Sequence, residues 1–292
     1  MLKEPLVSII INCFNGEKYL QKSIESVISQ EYKNWEIIFW DNCSTDQSSK
    51  IFKNYKDDRL KYYLADNHTK FLYEARNYAL EKARGDFIAF LDVDDWWLPD
   101  KLGKQISLFN DPQVGLVYGN IWYQFQKNNK KKILEKNLLP TGKALTALLS
   151  NYVIRSATIV IRKKCLDELK YKFNNKFHII GDFDLNIRIA ANWKINCVQH
   201  PIAFVRIHEK NESLLNKKKE INEFKAWYEE MKNDYIISSN KGFGQIPLKI
   251  SYLEISQSIL NEKFGKNFLK VLKYPFCLNK IKLLVALFLP KF

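Results

Sequence analysis

Three carboxylates, Asp92, Asp94 and Asp95, follow directly on an apolar run at residues 87–91. A run of that length suits a strand buried on both faces of a parallel sheet. An Asp-x-Asp at a strand end carries like-charge repulsion that a cation relieves. Alternate residues of extended chain point the same way, so the carboxylates of Asp92 and Asp94 can converge. Oxygen ligands of this kind suit Mg²⁺ or Mn²⁺, completed by water and a substrate's phosphates. The competing reading is an acidic turn in which Asp95 caps a helix over residues 96–110.

The elements that must position these acids are legible upstream. Residues 6–11 read as a first buried strand and residues 12–16 as a turn. Residues 17–30 then place Leu20, Ile24, Val27 and Ile28 at helical spacing. A second buried strand at 35–40 ends at Asp41, and the turn at 42–45 can cap a helix near 46–55. A third strand at 60–64 precedes a helix at 72–83, which Gly85 is expected to stop. Strand and helix alternating with short links predict βα units in an open parallel sheet, an α/β fold. Such sheets bind ligands beyond the carboxyl ends of their strands. Cys13, Asp41 and Asp92 all fall at such ends.

Beyond residue 111 the pattern predicts strands at 114–118 and 121–125, joined as a hairpin through Gly119-Asn120. Residues 127–136 are basic and polar, a solvated loop. A helix is expected at 143–150, a strand at 157–161, a helix at 181–191 and strands at 195–198 and 202–207. Asp182 and Asp184 sit in the first turn of that last helix, where the helix dipole favours acids even without a function. From about residue 220 the chain turns helical, at 220–235, 246–264, 263–273 and 281–289.

The 292 residues fit one large domain, or one domain with an appendage, and 46% hydrophobic content supplies a sizeable core. A net charge of +14, from 46 Lys+Arg against 32 Asp+Glu, favours polyanionic partners. The five cysteines are scattered and contain no C-x-x-C, which argues against a disulfide framework or a zinc site and for a reducing cytosol. No apolar run reaches transmembrane length, and the first residues are too short in apolar character for a signal peptide. In residues 263–292, Lys alternates with bulky apolar side chains and then gives way to the apolar run at 281–289. A basic amphipathic segment of that kind is expected to lie on an anionic membrane surface, with packing onto the rest of the chain as the alternative.

With these residues in place, the first hundred or so residues resemble a family 2 glycosyltransferase of the GT-A fold. The resemblance rests on LVSIIINCFN, SVISQEY, EIIFWDNCSTD, EARN and RGDFIAFLDVDDWWLPDKL, in order and spacing, then more loosely on GDFDL at 181–185 and on Arg206-Ile207-His208. It implies an open, mostly parallel Rossmann-like sheet flanked by helices, with a catalytic domain at 1–212 and a helical C-terminal region at 213–292. Residues 1–110 would be the nucleotide-binding half and 111–212 the acceptor half. By the same resemblance, Cys13 (through its backbone), Asn15, Asp41, Arg76 and Asp92 would line the nucleotide site, with Asp41 reading the uracil. Asp94 would hold a metal, His208 would stand near it, and Asp182 would be the catalytic base, while Asp184 would be structural. Three departures stand out: Gly181 replaces an acid, Asn42 replaces a common second Asp, and the Gly expected before Ala75-Arg76-Asn77 is absent.

The expected function is an inverting glycosyltransferase using Mn²⁺ or Mg²⁺ and a nucleotide-sugar donor, UDP-linked. Its acceptor would be a hydroxyl of a cell-surface polysaccharide or lipid-linked glycan, and its place the cytoplasmic face of the membrane, with no nucleic-acid partner. The first rival, a sugar-nucleotide nucleotidyltransferase, needs a Gly-rich basic first loop, and residues 12–16 hold one Gly and no basic residue. The second, a basic nucleic-acid-binding protein, is allowed by the charge but supported by no recognition motif.

Overall fold

The computed structural model describes residues 4–209, 211–261 and 264–288. The expected membrane-facing stretch begins and ends on residues 263 and 289–292, which lie outside the described residues. The chain divides into two compact units, at 1–208 and 209–292, slightly before the expected limit at residue 212.

The first unit runs β1 (Val7–Cys13), α1 (Glu17–Ile28), β2 (Trp35–Asp41), α2 (Ser48–Lys53), β3 (Leu60–Leu64), α3 (Leu72–Glu81) and β4 (Phe87–Phe90). It continues through β5 (Trp96–Trp97), α4 (Lys101–Ser107), β6 (Val114–Phe125), β7 (Lys131–Ile133), α5 (Leu145–Ser150), β8 (Val160–Arg162), α6 (Lys163–Asp167), α7 (Gly181–Asn192) and β9 (Lys194–Ile207). One sheet holds these strands in the order β3-β2-β1-β4-β8-β6-β9-β5, with β7 paired to β6. The four strands from β3 to β4 are parallel, as the βα alternation requires, and the sheet turns mixed at β8, which runs antiparallel to β4. Ile9, Ile11, Leu20, Ile24, Ile37 and Phe39 pack without exposure on one face of the parallel half.

Five local readings change. Residues 114–125 form one continuous strand rather than a hairpin, and 194–207 likewise form one strand rather than two. The turn-type residues Gly119, Asn120 and Pro201 mark a bulge, where the register between β6 and β9 shifts. The Asn120 carboxamide donates there to the carbonyls of Glu135 and Gln199, at 2.7 and 3.2 Å, pairing backbone groups that the bulge leaves open. The helix expected at 96–110 starts only at Lys101, because Pro99 disfavours helical backbone at Leu98. Trp96 and Trp97 instead pair with Phe204 and Ala203, so Asp95 caps no helix. Residues 131–133 of the expected loop add a strand to β6. Gly85 is needed for close approach rather than as a helix stop: a Cβ there would lie 2.6 Å from the Ser8 nitrogen.

The second unit holds α8 (Glu212–Leu215), α9 (Lys217–Met231), α10 (Tyr235–Ser238), α11 (Gln245–Asn261), α12 (Phe264–Lys273) and α13 (Leu278–Phe288). Ile255, Ile259, Val271, Tyr274 and Leu283 form a small core of its own. No described helix is long and apolar enough to cross a membrane.

Candidate active site

The site is built at the carboxyl ends of β1, β2 and β4. The β1–β2 register sets Cys13 opposite Asp41, and Leu91 continues β4 by donating to the Ile10 carbonyl at 3.0 Å. The chain then turns, Asp95 N–H donating to the Asp92 carbonyl at 3.1 Å, so the acids fan out of a turn rather than along a strand. Each finds a different partner.

Asp92 accepts from the Arg76 guanidinium at 2.5 Å. Arg76 comes from α3 and is buried, its guanidinium 5.3 Å from the Phe90 ring centre and 5.4 Å from that of Tyr73. The resemblance expects both Arg76 and Asp92 at the nucleotide, and the structure pairs them with each other. Asp94 lies 2.9 Å from the His208 Nε2, joining the acidic turn to the end of the unit. Burial, and then the Asp92 charge, push the Asp94 carboxyl above the ordinary range, against the favourable pull of His208. Asp95 is buried and accepts from the Arg206 N–H at 2.9 Å. Burial and the two neighbouring carboxylates push it well above the usual carboxylate range.

Asp41 is 1% exposed, one carboxylate oxygen accepting from Ser44 N–H at 2.8 Å and the other from the Tyr62 hydroxyl at 2.7 Å. Each oxygen keeps a lone pair. The Cys13 carbonyl accepts from Asn42 N–H at 2.8 Å, and burial raises its thiol, so the side chain stays neutral. Asn15 adopts left-handed backbone (φ 54°) and its side-chain oxygen accepts from Thr45 N–H at 2.8 Å, tying the loop after β1 to the loop after β2. Beside it, Phe14 is half exposed with its ring centre 4.4 Å from that of His68. The Asn42 carboxamide oxygen accepts from Thr69 N–H at 2.9 Å and from the Thr69 hydroxyl at 2.8 Å, tying down the loop that leads to Arg76.

Asp182 opens α7 and accepts from Phe183 N–H at 2.8 Å and from the Tyr73 hydroxyl at 3.3 Å. The helix dipole alone predicts a lowered carboxyl. Burial prevails, and Asp182 sits above its ordinary value even though Arg76, the Phe183 N–H, Arg155 and Tyr73 all favour the charged form. The charges of both Asp92 and Asp182 act on Arg76, which links the acidic turn to α7. Gly181 is explained by the same neighbour: a Cβ there would stand 2.4 Å from the Tyr73 ring. Asp184 is fully buried and paired with Arg188 at 2.7 Å, a structural acid.

Two residues escaped the sequence reading. Tyr73 was detectable in principle, since it lies three residues before Arg76 and therefore on the same helix face. Asn12, a polar residue following three isoleucines in β1, keeps both carboxamide atoms buried and without a hydrogen-bond partner. Among the described residues no three His, Cys, Asp or Glu side chains close around a cation. The residues present nevertheless suit one: a carboxylate and an imidazole 2.9 Å apart, beside a second carboxylate, form an open half-site for a hard cation that also binds phosphates.

Residues 8–184 match the family description "Glycosyl transferase family 2". A relative from Escherichia coli, UDP-Glc:alpha-D-GlcNAc-diphosphoundecaprenol beta-1,3-glucosyltransferase WfgD, is 37% identical over 171 residues, which span 59% of this chain and 66% of that one. Among solved structures, Staphylococcus aureus TarS 1–349 in complex with UDP-GlcNAc superposes with a TM-score of 0.70 at 17% identity, covering 96% of this chain and 81% of that one. The mannosyltransferase PcManGT from Pyrobaculum calidifontis, in complex with GDP-Man and Mn²⁺, does so with a TM-score of 0.62 at 13% identity, over 98% and 86%. At such identities the two structures speak for the fold, the GT-A arrangement, while the family match spans more than half of the sequence. The chain belongs to glycosyl transferase family 2.

Proposed function

We propose that this chain moves a sugar from a UDP-sugar to a hydroxyl of a lipid-linked glycan, by a single displacement that inverts the anomeric carbon. The observation that carries this reading is the meeting of three groups beyond the strand ends: the Asp94–His208 pair, the Arg76–Asp92 pair, and Asp182 held within the field of Arg76. The relative that acts on UDP-Glc and a diphosphoundecaprenol acceptor supports the choice of donor and acceptor.

In this reading residues 1–110 bind the donor and 111–208 shape the acceptor side. Asp41 uses its remaining lone pairs on the uracil N–H, and the backbone of Cys13 and Asn15 borders the base. Arg76 holds the Asp92 carboxylate toward the ribose. Asp94 and His208 hold Mn²⁺ or Mg²⁺, which when bound supplies Lewis-acid neutralisation of the leaving diphosphate. Asp182 accepts the proton of the acceptor hydroxyl while that oxygen forms its bond to C1. The C1–O bond to the diphosphate breaks on the opposite face, and UDP leaves with the electron pair. General-base help of this kind is worth about 10²–10⁴ in rate.

The C-terminal helices give the protein a place to act. Leu269 and Leu272 are exposed on α12 beside Lys270 and Lys273, and Ile281 and Val285 are exposed on α13. This mixture suits the anionic inner face of a cell membrane, where a lipid-linked acceptor would be presented. The test is a screen of UDP-, GDP- and dTDP-sugars for slow hydrolysis with and without Mn²⁺ or Mg²⁺. UDP-sugar hydrolysis that chelation abolishes is expected; a preference for GDP- or dTDP-sugars, or turnover indifferent to chelation, contradicts the reading.

A further inference from the structure

Within the second unit, α9, α11 and α12 enclose a groove of about 770 Å³. Four lysines line it, Lys218, Lys225, Lys270 and Lys273, against one acidic residue, Glu254. Lys225 uses that carboxylate at 2.5 Å, and Lys270 reaches the Ser258 hydroxyl at 3.0 Å. Lys218 and Lys273 have no carboxylate partner among the described residues. The groove therefore holds an excess of positive charge within one small unit.

Its floor has the opposite character. Ile221, Ile255 and Tyr274 are 5%, 8% and 5% exposed, whereas the four lysines are exposed, so the lining runs from exposed basic residues to buried apolar ones. A lone inorganic phosphate would satisfy the rim and leave that floor unused. The volume falls in the range of pockets that take whole organic ligands rather than single ions. Beside the groove, Leu269 and Leu272 of α12 are 61% and 48% exposed and alternate with Lys270 and Lys273. Charge above, apolar surface below and exposed Leu alongside match an amphiphile with a multiply charged head.

We infer that this groove binds the diphosphate of a prenyl-type lipid, with the ammonium groups on the diphosphate and the first part of the chain along the floor. A diphosphate matches the surplus of lysines better than the single charge of a common phospholipid head does. In naming the lipid as the acceptor's anchor the inference rests on the proposed function, but its test reads binding and needs no sugar transfer.

The test titrates the full-length chain with farnesyl diphosphate, farnesol, inorganic pyrophosphate and vesicles of phosphatidylcholine with phosphatidylglycerol. The double variant Lys218→Glu with Lys273→Glu changes two exposed side chains. Lys282→Glu, exposed and outside the groove, is the control. Farnesyl diphosphate is expected to bind more tightly than pyrophosphate, farnesol or the vesicles, and the double variant to weaken it about tenfold or more while the control leaves it unchanged. Thermal unfolding shows that each variant is folded, and UDP-sugar hydrolysis by the double variant is expected to match the wild type. Pyrophosphate binding as tightly as farnesyl diphosphate would assign the groove to free phosphates. Equal losses in the double variant and the control would reduce it to diffuse attraction, tighter binding to the vesicles would assign it to bulk phospholipid, and no binding of farnesyl diphosphate would overturn it outright. Farnesyl diphosphate binding by a wild-type protein that hydrolyses no UDP-sugar would instead count against the donor reading and leave the groove assigned.

Discussion

At the scale of single residues, the site depends on one tyrosine that the motifs do not announce. Tyr73 fills the space that Gly181 leaves, donates to Asp182, and borders the Arg76 guanidinium. A base works only when deprotonated, so transfer is expected to fall as pH drops through the raised value of Asp182. The Tyr73 hydroxyl favours the carboxylate, and Tyr73→Phe removes that help. The acid limb of the pH–rate profile should therefore move to higher pH, with the plateau rate nearly kept. An unmoved limb would show that the 3.3 Å contact does not act on the titrating group. Asp41, Asp92, Asp94 and Asp182 were all legible as acids at strand or helix ends, because turn and strand patterns fix where the chain emerges. Most of their partners were not legible. The family resemblance brought His208 near Asp94, but neither spacing nor pattern says that Arg76 meets Asp92, since that pair is made across the fold.

At the scale of elements, the parallel half was readable because its strands are short apolar runs between helices of clear period. Where the reading failed, a residue had two physical uses. Gly and Asn form tight turns, and they also form bulges, as Gly119 and Asn120 do. Pro99 delays α4, and the two tryptophans ahead of it become a strand because β9 offers them an edge. Tight packing at an element start gives a direct prediction. Gly181→Ala puts a methyl group against the Tyr73 ring at the first turn of α7, so it should cost about 1–3 kcal/mol in denaturant unfolding. A smaller loss would mean that α7 shifts freely at its start. Within α4, Lys101 is fully buried, its ammonium lies 3.8 Å from the Trp97 ring centre and has no hydrogen-bond partner, and burial holds its pKa well below the usual lysine value. Between that lowered value and the ordinary one the unfolded chain binds the extra proton, so stability rises with pH across this window. Lys101→Met should thus stabilise the protein by about 1–3 kcal/mol below the window, and the gain should shrink as pH rises through it. Destabilisation at neutral pH would mean that the cation–ring contact outweighs the unsatisfied donor.

At the scale of the whole molecule, the division of labour lies between a first unit that the family match covers and a helical second unit that it does not reach. The first unit's family and fold could be anticipated because acids, turns and strand ends recur together in a set order. The second unit's amphipathic helices announced only a surface, and the groove among α9, α11 and α12 emerges from their packing, which no periodicity encodes. The most direct measurement of the central claim, that Asp182 is the base of a single displacement from a UDP-sugar, is the rate of sugar transfer by Asp182→Asn at saturating donor. Transfer should fall about 10²-fold or more, while UDP affinity stays within a few-fold of the wild type. Transfer at a rate close to the wild type's would contradict it, and so would an equal collapse of UDP binding, which would move Asp182 into the donor site.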